Sequence, residues 1–280
     1  MGSPIAANLV KAGFPVVGYD VVAEKRRELQ KAGGSVARSV GEVRERSDVV
    51  ICSLPSAKAL ADVTEELATA RGGAAVVVET STMPIADKER ARQRLASVGV
   101  TLLDCPLSGT GAQAKTGDLV VFGSGILSKY RKTVPVLKGF SRSQHYLGRF
   151  GNGSKMKFAA NLLVAIHNVS SAEAVILARR SGLDPALAVK VLGDGAGASR
   201  MLQVRGPLMV RRAYRPATVT NETWRKDMKI IGAFVRGLRS PAPLFNRTRA
   251  IYREALRRGF AQADTAAVAA VLERKKASKA

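Results

Sequence analysis

From Pro15 to Gly148 the chain alternates short apolar, β-branched runs with longer stretches of helical period, and after residue 150 the short runs stop. No other feature constrains the fold as strongly. Strands separated by helices must lie parallel in one sheet, with the helices packed on its faces. The runs that read as strands are Pro15 to Asp20, Val49 to Cys52, Ala74 to Val78, Val98 to Leu103, Gly117 to Gly125 and His145 to Gly148. Helical period covers 1–13, 22–32, 40–46, 57–69, 84–97 and 127–138, with Gly13 and the pair Gly33-Gly34 as stops. Beyond the switch, helices are expected over 154–180, 184–193, 197–211, 223–238, 243–258 and 264–275, with a loop at 213–222. The prediction is an α/β, doubly wound parallel-sheet domain over 1–149 and an all-α domain over 150–280.

The first helix, the strand behind it and its terminal acid Asp20 have the order of the second half of a dinucleotide-binding βαβ unit. A complete Rossmann-like unit opens with a strand and a Gly-x-Gly-x-x-Gly turn, whose glycines let the backbone approach a pyrophosphate at the helix N-terminus. Gly2 stands as the last glycine of that turn, so the first strand and the Gly-x-Gly, about a dozen residues, are expected ahead of Met1. Asp20 is placed to accept both ribose hydroxyls. Its charge would repel a 2′-phosphate, which favours NAD over NADP; Lys25, Arg26 and Arg27 soften that preference and leave NADP open. Ligands of open parallel sheets lie beyond the carboxyl ends of the strands. Leu54-Pro55 and Ser81-Thr82 occupy such ends, though they also read as ordinary turns.

Composition narrows the class. With 46% hydrophobic residues the chain can bury a real core, and no run of about 20 apolar residues lacks a polar break, so no membrane span is expected. Two cysteines, Cys52 and Cys105, make no disulfide framework and suit a reducing, cytoplasmic setting. His145 and His167 stand apart from any cysteine cluster, so no metal site is expected. The net charge is +23, and its excess lies late: residues 150–280 carry 24 basic and 8 acidic side chains, against 21 and 14 in 1–149. Steering of anions, phosphate contacts and drift toward arginine on a solvated surface all fit such a count. The bases are scattered apart from Arg274, Lys275, Lys276 and Lys279, so nucleic acid is not expected as a partner.

Two stretches carry candidate chemistry. Asp104-Cys105-Pro106-Leu107-Ser108-Gly109-Thr110-Gly111 offers backbone N–H groups and hydroxyls that could cradle a carboxylate, or is a plain glycine loop. Gly151-Asn152-Gly153-Ser154-Lys155-Met156-Lys157-Phe158-Ala159-Ala160-Asn161 opens the longest helix. Its glycines make a flexible lead-in and Ser154 is a candidate cap. Lys157 and Asn161, four apart, point from one face. The spacing alone also describes a solvated first turn with Lys155 and Lys157 in water.

The pattern Gly151-x-Gly153-x-x-x-Lys157-x-x-x-Asn161 resembles the catalytic motif of the β-hydroxyacid dehydrogenases, which include 3-hydroxyisobutyrate, tartronate semialdehyde and L-threonate dehydrogenases and, more distantly, 6-phosphogluconate dehydrogenase. The resemblance spans nearly the whole chain. Met1-Gly2 matches the end of the family's Gly-Leu-Gly-x-Met-Gly turn, and the loops at Leu54-Pro55 and Thr82 correspond to loops that touch the cofactor. Ser108-Gly109-Thr110 resembles the Ser-Gly-Gly that binds the substrate carboxylate, with Thr110 in place of the second glycine. Lys226, in Trp224-Arg225-Lys226-Asp227-Met228, matches a lysine that reaches cofactor or substrate. Asp264 ends a partial match, Gly259 to Asp264, in which Ala261 replaces a glycine, and by that resemblance is carried over as a cofactor contact. The resemblance implies hydride transfer between NAD(P) and a small 3-hydroxy acid, with Lys157 as acid–base and Asn161 orienting the hydroxyl or the lysine; the long apolar helices of the second half are of a kind that commonly pairs across subunits, so a homo-oligomer is expected. A lysine suits acid–base work when burial and nearby positive charge lower its pKa toward neutrality. Two rivals stand beside it: a non-enzymatic scaffold that binds DNA or protein through the basic second half, and an enzyme inactivated by loss of its phosphate-binding turn.

Overall fold

Val76–Glu79, the strand β4, is buried at all four positions, and the first unit of the structure is laid out on either side of it. The computed structural model describes residues 1–273. The chain divides into two units, Met1–Lys157 and Phe158–Ala280.

In the first unit α1 (Gly2–Lys11), β1 (Val17–Gly18), α2 (Ala23–Lys31), β2 (Ser35–Val36), α3 (Val40–Glu45), β3 (Val49–Cys52) and α4 (Ala57–Thr69) lead to β4. After it come α5 (Ile85–Ala96), β5 (Thr101–Asp104), β6 (Leu107–Ser108), α6 (Gly111–Lys115), β7 (Val120–Gly123), α7 (Leu127–Lys138) and β8 (Ser143–Tyr146). β3, β4 and β5 form a parallel sheet in that order, with Cys52 opposite Glu79 and Glu79 opposite Asp104. β1 pairs in parallel with β2. β7 pairs in parallel with β8 and antiparallel with β6, and the Asp104–Ser124 bridge joins β5 to the end of β7.

The side-chain period of two sorts the core. Val76, Val78 and Leu103 pack on one face with Ile5 and Leu9 of α1 and Leu137 of α7. Val50, Val77 and Leu102 pack on the other with Leu60 and Leu67 of α4 and Leu95 of α5. A sheet buried on both faces must read as a continuous apolar run, as Val49-Val50-Ile51-Cys52 and Val76-Val77-Val78 do.

The expected helices of this unit are present within a few residues of their ends. Three elements differ. Ser35–Val36 is a strand that composition did not reveal. The stretch expected as one strand over 117–125 is a strand only at Val120–Gly123, followed by the single bridge at Ser124. The glycine loop after Pro106 contains a two-residue strand and the helix α6. Such short elements exist through their partners and have too little sequence to show a period.

α8 (Asn152–Arg180) is continuous across the boundary between the units. An 18-residue window of it is long and apolar enough to cross a membrane, and 44% of that window is buried inside the structure. The second unit is helical: α9 (Pro185–Asp194), α10 (Arg200–Arg211), α11 (Asn221–Gly237), α12 (Pro243–Arg257), a 3-10 turn at Thr265–Ala267 and α13 (Val268–Glu273). Its interior includes Met209, Ile231, Phe245 and Val268. The basic tail Arg274, Lys275, Lys276 and Lys279, and the end of the helix expected over 264–275, lie outside the described residues.

Candidate active site

Lys157 is 8% exposed, while Lys155 of the same turn faces solvent. The two lysines therefore differ, and a wholly solvated first turn is ruled out. The lead-in is also not flexible. Gly151 sits at φ +90°, a conformation costly for residues with a Cβ. A Cβ on Gly153 would lie 2.3 Å from the Phe122 carbonyl oxygen and 2.6 Å from that of Asp104, so α8 rests directly on β5 and β7.

The first turn of α8 is capped from those strands. Gly153 N–H donates to Ser124 Oγ at 3.0 Å, and Ser154 N–H donates to Asp104 Oδ2 at 2.8 Å. Ser154 is not a cap. It lies inside the helix, 1% exposed, and its hydroxyl donates to Asp104 Oδ1 at 2.8 Å. A carboxylate fits here because the free N–H groups of a helix start carry partial positive charge.

Asp104 also belongs to a fully buried ion cluster. Lys88 of α5 places Nζ 2.8 Å from Asp104 Oδ1 and 2.6 Å from Glu79 Oε2, and all three side chains are 0% exposed. The Glu79 contact is ionic in character, since Oε2 has no aligned hydrogen-bond donor. Burial alone would push the Lys88 ammonium down, but the charges of Glu79 and Asp104 outweigh it and hold the group above its ordinary value. Glu79 Oε1 accepts Ser81 N–H at 2.9 Å, and Ser81 Oγ accepts Leu54 N–H at 2.7 Å. One cluster thus ties the loops after β3 and β4 to the start of α8. Sequence reasoning missed Glu79, Lys88, Ser124 and Ser154 as its members. A lysine on an amphipathic helix and acids at strand ends look solvated until the helix is placed over the sheet.

The loop after β5 is tight. Gly109 has φ +139°, and a Cβ there would meet Leu119 Cδ2 at 2.5 Å. Thr110 is the N-cap of α6 in a capping box: its Oγ1 accepts Gln113 N–H at 3.4 Å and its N–H donates to Gln113 Oε1 at 3.0 Å. The Thr110 N–H is thereby engaged, while its hydroxyl accepts and keeps its own O–H to donate, so the cap is compatible with a carboxylate contact.

At the other strand ends, Asp20 is exposed and its Oδ1 accepts Val22 N–H at 2.8 Å. Arg26 bonds the Asp20 carbonyl oxygen and lies 5.8 Å over the Tyr19 ring. Gly2 begins α1, whose first turn has no side-chain cap; a Cβ on Gly2 would touch only Ser53 Cβ, at 3.8 Å. Thr82 and Leu54 are half-buried and Pro55 is exposed. The exposed Asp20 carboxylate keeps Oδ2 open to solvent, and the first turn of α1 has no side-chain cap. Cys52 and Cys105 are buried; burial, then the charge of Glu79, pushes the Cys52 thiol up to about 12, so it belongs to the core.

In the second unit Asn161 is 3% exposed and its Nδ2 donates to Asp227 Oδ2 at 3.1 Å. Lys226, half-buried, lies 3.6 Å from Asp227 Oδ1. Asp227 orders both residues, a role the sequence did not suggest. Asp264 is corrected. It is 0% exposed, accepts from Arg205 Nε at 3.2 Å, from Thr218 N–H and Oγ1 at 2.8 and 2.7 Å and from Ala266 N–H at 2.9 Å. Both of its oxygens are filled by the protein, so it holds the unit together and is closed to a cofactor.

The description "NAD binding domain of 6-phosphogluconate dehydrogenase" matches residues 1–148, and "NAD-binding of NADP-dependent 3-hydroxyisobutyrate dehydrogenase" matches residues 151–272. The L-threonate dehydrogenase of Cupriavidus necator is 31% identical over 96% of this chain and 91% of its own length. The chloroplastic glyoxylate/succinic semialdehyde reductase 2 of Arabidopsis thaliana is 29% identical over 100% of this chain and 79% of its own. The mitochondrial 3-hydroxyisobutyrate dehydrogenase of Mus musculus is 28% identical over 96% and 83%. Among solved structures, the 3-hydroxyisobutyrate dehydrogenase of Mycobacterium tuberculosis with L-serine superposes with TM-score 0.86 at 26% identity, covering 97% of this chain and 95% of that one. The corresponding enzyme of Salmonella typhimurium gives 0.86 at 25%, covering 96% and 95%. The scaffold reading gains nothing from these matches. The chain belongs to the family of NAD(P)-dependent 3-hydroxyacid dehydrogenases.

Proposed function

We propose that this chain oxidises a small 3-hydroxy acid, of the size of 3-hydroxyisobutyrate or L-threonate, with NAD as the preferred cofactor and Lys157 as acid–base. The observation that carries it is the burial of Lys157, 8% exposed, one turn past helix amides fixed to Asp104 and Ser124. A buried amine shed of water can exist neutral and accept a proton. When bound, the nicotinamide supplies the hydride acceptor. Lys157 Nζ takes the hydroxyl proton during oxidation and returns it during reduction. Ser108 Oγ and the Gly109 N–H hold the substrate carboxylate, which fixes the carbinol carbon. Asn161, its Nδ2 engaged by Asp227, presents its carbonyl oxygen to the hydroxyl or to the lysine. Lys226 adds a cation for the carboxylate or for the cofactor.

NAD is favoured because the Asp20 carboxylate would repel a 2′-phosphate, while Arg26 is engaged by the Asp20 carbonyl and the Tyr19 ring. Gly2 at the start of α1, Leu54 and Pro55 after β3, and Thr82 after β4 are the further cofactor contacts of this reading. We also propose a homo-oligomer and a cytoplasmic location. α9 has no buried residue, and Leu177, Leu183, Leu187 and Val191 are each more than half exposed, an apolar surface that a second copy would cover.

Lys157→Ala should abolish turnover of 3-hydroxyisobutyrate and L-threonate, at least a thousandfold in kcat, while calorimetry shows NAD binding unchanged. Wild-type turnover in that variant would falsify the assignment.

A further inference from the structure

The buried cluster of Glu79, Lys88 and Asp104 has no part in the chemistry just described, yet it is bonded to the loop after β4, through Ser81 to the loop after β3, and to the start of α8. Three ionisable groups at 0% exposure are costly, since desolvation opposes each charge. Apolar residues of similar volume would serve stability at least as well. The arrangement is also unbalanced: two carboxylates face one ammonium. The remaining negative charge is met by the N–H groups at the start of α8, through Ser154 N–H and Oγ on Asp104. On the other carboxylate, Glu79 Oε1 holds Ser81 N–H, and Ser81 Oγ holds Leu54 N–H. The cluster therefore has one arm on the loops after β3 and β4 and one arm on the helix that carries Lys157. Asp104 also leads, four residues on, to Ser108. Lys157 lies three residues past Ser154, about 4.5 Å along the helix axis.

We propose that Lys88 is a positioning residue: its buried ammonium clamps Glu79 to Asp104 and thereby fixes the distance between the loops bearing Leu54 and Thr82 and the helix bearing Lys157. Hydride and proton transfers need their groups held within a fraction of an ångström, and a shift of about 1 Å can cost a hundredfold in rate. An ion cluster whose members lock one another's rotamers gives that precision where a purely apolar contact leaves room to slide. The proposal rests on the acid–base reading of Lys157.

The test is a double-mutant cycle on the full chain with Asp104→Asn and Ser154→Ala, together with Lys88→Met and Lys157→Ala. Asp104→Asn keeps volume and leaves Lys88 its Glu79 partner. Ser154→Ala removes a single buried hydrogen bond and is the variant surest to fold. In turnover of 3-hydroxyisobutyrate and L-threonate with NAD, kcat should fall about tenfold for Ser154→Ala and about a hundredfold for Asp104→Asn. KM for NAD should stay within about twofold in both. The double variant should be no slower than Asp104→Asn alone, because both act through one link. Hydrogen exchange gives a readout without substrate or cofactor. Ser154→Ala and Asp104→Asn should speed exchange in the first turn of α8 only, and Lys88→Met both there and in the loops at 53–55 and 80–83. Fully multiplicative losses in kcat, or unchanged exchange at the start of α8 in Ser154→Ala and Asp104→Asn, would overturn the proposal. If Lys157→Ala keeps turnover, the acid–base reading fails. If only Lys157→Ala is inactive and the cluster variants match wild type, that reading stands and the clamp fails.

Discussion

Gly153→Ala is the sharpest test of how α8 is seated. The added Cβ would stand 2.3 Å from Phe122 O, 2.6 Å from Asp104 O and 3.1 Å from Pro106 Cδ. A carbon rests no closer than about 3.3 Å to a carbonyl oxygen, and both oxygens belong to sheet backbone, which cannot swing aside. The helix start must therefore back away by about 1 Å. That shift stretches Gly153 N–H to Ser124 Oγ, now 3.0 Å, and the two Ser154 bonds to Asp104, now 2.8 Å each, past useful length. One neutral bond is worth about 1 kcal/mol and each bond to the carboxylate about 2 kcal/mol. Alanine returns about 1 kcal/mol of helix propensity over glycine. The net loss is about 4 kcal/mol, a large part of a typical folding stability of about 5–15 kcal/mol. Urea unfolding followed by far-ultraviolet circular dichroism should show a lowered midpoint for the first unit with an unchanged slope. Gly193→Ala in α9 serves as the control: nothing lies within 4 Å of its added Cβ, so the variant should be neutral or slightly more stable. Equal midpoints for Gly153→Ala and wild type would refute the close seating of the helix on β5 and β7.

Two further outcomes are expected. Thr110→Val should lower stability by about 1 kcal/mol through loss of the α6 cap, measured by urea unfolding, and Ser108→Ala should raise KM for the hydroxy acid in steady-state kinetics. Burial would raise the Asp264 carboxyl, but the Arg205 guanidinium and the bonds from Ala266 and Thr218 outweigh it and hold the group below its ordinary range. Its stabilising contribution is then complete above about pH 4 and is lost as pH falls through the depressed value. Asp264→Asn should remove that part of the acid-induced loss in stability, at a cost of about 3 kcal/mol at neutral pH, which unfolding curves across the acid range would measure.

What the sequence determined by itself was local and periodic. The helix over 57–69 and the strand at Val49–Cys52 stand where their patterns put them, because apolar period and Ser/Gly punctuation act over a few residues. Lys157 and Asn161 were legible together because four residues make about one helical turn. The tertiary structure alone decided what those side chains meet. It turned the supposed flexible glycines into a close contact and a positive-φ joint. It moved Ser154 from cap to buried donor, made Thr110 the cap of α6, and closed Asp264 to ligands. It also assembled Glu79, Lys88 and Asp104, which lie 9 and 16 residues apart in sequence, into one ion cluster. Such partnerships have no period to betray them. Charges at strand ends and on a helix look solvated in sequence, and only the packing of that helix across two neighbouring parallel strands removes the water and makes them one object.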